Sequence, residues 1–157
     1  MTMRVQLPHL LVRAGTVSAF TLVALAGPVP GLGATAEAAK APVPTKALRI
    51  AASKKGAPYR WGAQGPNSFD CSGLTRYSFR RAGRALPRTA DQQYRHTRRI
   101  SRAARRTGDL VFFHSRRGIY HVGIYAGGNR IWHAPKTGAV VRLERIWSHA
   151  VSYGRVR

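Results

Sequence analysis

Helical spacing and strand alternation occupy separate halves of this chain, and that division limits the folds open to it. Before residue 107 apolar residues recur at helical intervals in separate stretches. From residue 107 onward the pattern changes. Segments 110–114, 119–125, 130–133 and 139–143 are rich in the β-branched and aromatic residues of strands. Gly118, Gly127-Gly128-Asn129 and Pro135-Lys136-Thr137-Gly138 separate them as turns. Helices followed by a run of strands predict an α+β fold with an antiparallel sheet.

The helical half divides further. Thr45 is a suitable N-cap for a first helix, with Leu48, Ala51 and Ala52 as its apolar stripe and Gly56 and Pro58 as its stop. Residues 59–70 are rich in turn formers and predict an ordered loop. A second helix is expected from Cys71 to about Ala82, ending at Gly83. Thr89 and Gln92 have the spacing of a capping box, so a short helix is expected after Arg88. The arginine-rich stretch 95–106 lacks apolar periodicity and reads as solvated and irregular.

The first 38 residues have a different character. Arg4 and Arg13 precede an uncharged apolar run over 14–26, and Pro28, Pro30, Gly31 and Gly33 follow. Ala36-Glu37-Ala38 supplies a small-residue cleavage site. This layout predicts a secretory signal peptide over 1–38; the apolar run is shorter than the roughly 20 residues a membrane span needs. A short linker, 39–45, and one domain, 46–157, complete the expected organisation.

Export sharpens the meaning of the one cysteine among the 157 residues. A lone cysteine cannot form an intrachain bridge, and in a secreted chain it suggests a working thiol. At the start of a helix, Cys71 faces unpaired backbone N–H groups and the positive end of the helix dipole, which favour the nucleophilic thiolate. Asp70 is placed to cap that helix, and Ser72 and Gly73 are small enough to let a substrate approach the backbone. A cysteine nucleophile requires a base. Of the histidines at 96, 114, 121, 133 and 149, His121 and His133 lie on strands that read as one hairpin. A three-residue loop, 126–128, pairs Tyr125 with Asn129 and so His121 with His133, on one face. A plain Gly127-Gly128 turn would separate them, so a longer loop or a glycine bulge is required. His114 is a spare candidate base.

Other chemistries lack their residues. There is no H-E-x-x-H, and a deaminase-type zinc site would need a nearby Glu and a cysteine pair. After residue 38 the only carboxylates are Asp70, Asp91, Asp109 and Glu144, which argues against a paired-carboxylate glycosidase. With 27 Lys and Arg against 5 Asp and Glu, the formal charge is +22, and such a surface attracts polyanions. The arginine stretch lacks the base-stacking aromatics of a nucleic-acid site, so no nucleic-acid partner is expected.

Tyr59-Arg60-Trp61-Gly62 followed by Phe69-Asp70-Cys71-Ser72-Gly73-Leu74 closely resembles the nucleophile motif of the NlpC-type cell-wall cysteine peptidases. Leu86-Pro87-Arg88-Thr89, Gly108-Asp109-Leu110-Val111-Phe112-Phe113, His121-Val122-Gly123-Ile124-Tyr125 and Trp132-His133-Ala134-Pro135 resemble that family's later landmarks, in order. The resemblance covers residues 46–147. It implies a papain-like α+β core, with Cys71 as nucleophile, His121 as base and His133 orienting it. It further implies that Tyr59 lies near the thiol and helps bind substrate, that Asp70 and Ser72 contact the free amine end of a short peptide, and that Gly73 and Arg88 belong to the same substrate-binding set. The implied substrate is the peptidoglycan stem peptide, cut between γ-D-glutamate and a diamino acid. A related amidase, transpeptidase or exported effector is the alternative on the same site. No cofactor or metal is implied; a secreted monomer at the cell wall, with anionic wall polymers as a further partner, is expected. Ala63 departs from the family pattern, where a second glycine is common.

Overall fold

The structure, a computed structural model, describes residues 40–157. The signal peptide expected over 1–38 lies outside the described residues. Among these, helices α1 (Val43–Ser53), α2 (Cys71–Arg81) and α3 (Ala90–His96) precede strands β1 (Arg98–Ile100), β2 (Leu110–Ser115), β3 (Gly118–Gly127), β4 (Arg130–His133), β5 (Arg142–Arg145) and β6 (Val151–Arg155). The strands form one antiparallel sheet in the order β1-β6-β2-β3-β4-β5. The α+β class expected from the sequence is the observed one.

Both faces of the sheet are covered near its centre. Phe69, Leu74 and Phe79, from α2 and the loop before it, bury against Leu110, Phe112, Val122 and Ile124. On the other face, Val111, Phe113, Tyr125, Ile131 and Tyr153 form a second cluster. Successive side chains of a strand point to opposite faces. This explains why β2 reads Leu-Val-Phe-Phe without polar alternation: its residues 110–113 are buried on both sides.

Four boundaries differ from expectation. Helix α1 begins at Val43, inside the stretch expected as linker, and is capped by Pro42 rather than Thr45; a proline in its first turn fixes the helical φ. Part of the arginine-rich stretch is a strand. Arg98, Arg99 and Ile100 pair with Arg155, Gly154 and Tyr153 of β6, and their charges blunt an exposed sheet edge. Strand β5 starts at Arg142 rather than residue 139, because 139–141 pair elsewhere: Tyr59 N–H donates to Ala139 O at 2.9 Å and Val141 N–H to Ala57 O at 2.8 Å. The β3–β4 hairpin uses a two-residue Gly128-Asn129 turn, both residues at positive φ (54° and 58°), as a type I′ turn requires. A bulge between Tyr125 and Gly127 accompanies it.

Candidate active site

The start of α2 is built around Asp70. Its carboxylate accepts from the N–H of Gly73 at 2.7 Å and the N–H of Gly62 at 3.0 Å. Ser72 Oγ donates to it at 3.3 Å, and Arg88 pairs with both of its oxygens. One side chain thus caps the helix and fastens the preceding loop to it. Gly73 completes the junction, since a Cβ there would stand 2.1 Å from the carbonyl oxygen of Ala63. The space beside Gly73 belongs to the loop, so its smallness serves this contact and not the substrate approach expected from sequence. Asp70, too, has both oxygens occupied.

Cys71 is the first residue of α2. The N–H groups of Val122, Ser72 and Cys71 itself point at its sulfur and favour the thiolate. Burial and the Asp70 carboxylate outweigh them and raise the thiol above its ordinary value. The thiolate expected from the helix terminus alone is therefore corrected: desolvation disfavours the charged form.

His121 and His133 meet, but not as directly opposed residues. Tyr125 pairs with Ile131, not Asn129, and Ile124 with Trp132. His133 is therefore level with Gly123, and His121 lies diagonally from it on the same face. A Cβ at 123 would stand 2.8 Å from Ile131 Cδ1, so the glycine makes room for the packing of Ile131. His121 Nε2 lies 2.8 Å from His133 Nδ1, and His133 Nε2 lies 3.0 Å from Glu144 Oε2. Arg142 Nε donates to the same oxygen at 2.7 Å. This hydrogen bond, partly opposed by burial and joined by the one from His133, holds the Glu144 carboxyl below its ordinary value, so it is ionised and only accepts. The proton of His133 then resides on Nε2, its Nδ1 accepts from His121 Nε2, and His121 Nδ1 is left with a free lone pair.

Burial, assisted by His133, pushes His121 down to about 3. Burial also lowers His133, against the pull of Glu144. The resting pair is accordingly a neutral thiol and a neutral imidazole. Stability follows from the same shift. The unfolded chain takes up a proton on His121 as pH falls through 6.5, whereas the folded chain resists until about 3, so stability declines as pH falls across that window. At about 1.4 kcal/mol per pKa unit, His121 should cost about 2 kcal/mol between pH 7 and pH 5. Urea unfolding at both pH values should show this drop, and His121→Gln should lose correspondingly less. Equal drops in the two proteins would remove His121 as the cause.

Two clefts meet at the thiol. One is bordered by Trp61, Cys71, Ser72, Arg88 and Tyr120, and the other by Tyr59, Cys71, His121, His133, Lys136 and Trp147. Trp61 is 85% exposed at the rim they share. Trp147 stacks on Phe113 with centroids 4.2 Å apart, and its ring centroid lies 5.5 Å from that of His121 and 5.3 Å from that of His133. His114 is engaged elsewhere, 2.8 Å from Ser152 Oγ.

Tyr59, Asp70, Cys71, Ser72, Arg88, His121 and His133 are thus gathered at one groove. The sequence reading missed Glu144 and Trp147. Glu144 carried a signal, as one of few carboxylates on an alternating strand after His133; Trp147 carried none.

The model of the NlpC/P60 family matches residues 56–154. The chain is 46% identical over 106 residues to "Probable endopeptidase p60" of Listeria monocytogenes, a match covering 64% of this chain and 22% of that protein. It is 40% identical over 117 residues to "Bifunctional muramidase/DL-endopeptidase CwlT" of Bacillus subtilis, covering 70% of this chain and 36% of that one. The chain therefore spans only a minor part of the length of these relatives. The solved P60 domain of an antigen of M. avium subspecies paratuberculosis superimposes with a TM-score of 0.65 at 28% identity, covering 73% of this chain and 94% of that domain. Its sequence matched over residues 56–154 and its fold shared with a solved P60 domain, the chain belongs to the NlpC/P60 family.

Proposed function

We propose that this chain is a secreted cysteine endopeptidase that hydrolyses amide bonds in peptidoglycan stem peptides, at the bond between γ-D-glutamate and a diamino acid. The observation that carries the reading is the line of hydrogen bonds from Glu144 through His133 to His121, ending in the cleft that holds Cys71. The endopeptidase names of the relatives support it.

The reaction is acyl transfer to sulfur and then to water. Cys71 Sγ attacks the amide carbonyl as its proton passes to His121 Nδ1. The N–H groups at the α2 start stabilise the developing oxyanion. His121 returns the proton to the leaving nitrogen, the C–N bond breaks and a thioester remains. Water, deprotonated by His121, attacks the thioester; the acid product leaves and Cys71 regains its proton. His133 and Glu144 hold His121 in the required tautomer and share the positive charge it acquires. Tyr59 borders the leaving-group side. Ser72 and Arg88 border the acyl side, with Asp70 holding them.

The basic surface suits a further partner. Arg98, Arg102 and Arg106 are exposed and make no ion pair among the described residues, and we read them as contacts for anionic wall polymers. Such attraction is screened beyond about 8–10 Å at physiological salt. The enzyme acts as a monomer outside the cell, its signal peptide at 1–38 removed.

Mass spectrometry of purified stem peptides incubated with the chain, beside Cys71→Ala, tests the reaction. Products split after γ-D-glutamate, absent with the variant, are expected. A new amide in place of a free carboxylate would make the enzyme a transferase. No product from a folded chain with a reduced thiol would overturn the peptidase reading.

A further inference from the structure

The groove is electrically asymmetric about Cys71. On the side of Ser72 and Arg88, the Arg88 cation is spent on Asp70, and Asp91 adds a second carboxylate that pairs with Arg95. On the side of His121 and His133, Lys136 and Arg142 face a single carboxylate, Glu144. That carboxylate takes Arg142 Nε at 2.7 Å and His133 Nε2 at 3.0 Å. Lys136 makes no ion pair among the described residues and is exposed on the turn after β4. Among the charged residues lining the two clefts it is the uncommitted cation.

Chemistry decides which side is which. His121 must return its proton to the leaving nitrogen, so the leaving group lies in the cleft that His121 lines, and the acyl group occupies the other. We propose that Lys136, with Arg142 beside it, forms a carboxylate-binding subsite for the leaving group. The preferred leaving amine then belongs to a residue that bears a free carboxylate, and its carboxamide counterpart binds less well. The inference rests on the peptidase reading and adds to it a substrate feature that the cysteine and histidines do not determine.

An ammonium or guanidinium bonded to a carboxylate makes a stronger contact than to a neutral amide oxygen. A half-open groove screens part of that gain. The two effects together set the expected preference at about tenfold, expressed in KM because the subsite lies away from the bond being broken.

Two peptides test this, identical through the scissile amide, one ending in a leaving residue with a free carboxylate and the other in its carboxamide. With the full chain, the carboxylate peptide should show a KM about tenfold lower and a similar kcat. Lys136→Ala should raise the KM of the carboxylate peptide alone, and Lys136→Glu should reverse the preference. Arg142 is left intact because its removal would release Glu144. Equal KM values for both peptides, or a preference that survives Lys136→Glu, would overturn the subsite while leaving the peptidase reading in place. Cleavage of neither peptide by the unsubstituted chain would overturn the peptidase reading itself.

Discussion

His121→Ala should lower kcat for stem-peptide cleavage by about 10³- to 10⁴-fold, to the floor that Cys71→Ala reaches. The reasoning begins with the neutral resting pair. A thiol raised by burial and an imidazole pushed down to about 3 do not exchange a proton at rest, so transfer must accompany attack. Without the imidazole nothing accepts the thiol proton and nothing protonates the leaving nitrogen. Both losses fall on one proton circuit, so the double variant should be no slower than either single one. The rest of the line should grade the effect. His133→Ala removes the acceptor for His121 Nε2 and should cost about a hundredfold. Glu144→Gln keeps a hydrogen-bonding group but removes the charge that steadies the imidazolium, and about tenfold, one pKa unit of electrostatics, is expected. Steady-state kinetics on variants with native circular dichroism gives the series. A His121→Ala enzyme faster than His133→Ala would break the assignment.

Asp70→Ala should have the largest effect on stability, about 3–5 kcal/mol. Asp70 is 6% exposed and holds two backbone N–H groups, the Ser72 hydroxyl and Arg88. Its loss leaves the Gly73 N–H without its cap and the half-buried Arg88 without its counterion. Arg88→Ala should cost less, because its side chain is 32% exposed and the backbone hydrogen bonds to Asp70 survive. Urea midpoints read both. A change under about 1 kcal/mol for Asp70→Ala would show that the junction is held by packing alone. The milder Asp70→Asn has a second consequence, because the carboxylate is one of the two causes raising the Cys71 thiol. Its removal lowers the thiol pKa, so alkylation of Cys71 at fixed pH should speed up even as the fold weakens.

The features legible in sequence were those set by local rules. The capping box at Thr89 and Gln92 formed as spaced, and Gly83 follows the end of α2 at positive φ. The same-face placement of the two histidines was legible because a two-residue turn alone would separate them, and the bulge between Tyr125 and Gly127 shifts the register by the one residue that reunites them. The register was not: 126–128 and 128–129 are both plausible turns of glycine and its neighbours, and tertiary pairing chose between them. Strand β1 was hidden because edge pairing tolerates charged residues without apolar alternation. The displaced start of β5 came from the 57–59 segment, far away in sequence, claiming 139–141. Glu144 could be counted but not placed, since its role depends on β4 and β5 aligning Ile131 with Glu144 and His133 with Arg142.

The position of β6 bears on how the enzyme comes to life. This strand is the latest of the described ones in the chain, yet it lies between β1 and β2, with Tyr153 buried in the second core cluster. Arg155 Nε and Nη2 grip Asp109, each at 2.8 Å from a carboxylate oxygen, and so clamp β6 to the start of β2. Pairings this distant in sequence form slowly, after the loops between them have closed. A chain emerging N-terminus first therefore presents Cys71 long before the sheet that carries its base is closed. Cys71, His121, His133 and Glu144 all precede β6 in the chain, so the residues of the cleft are present before the strand that closes the sheet beside them.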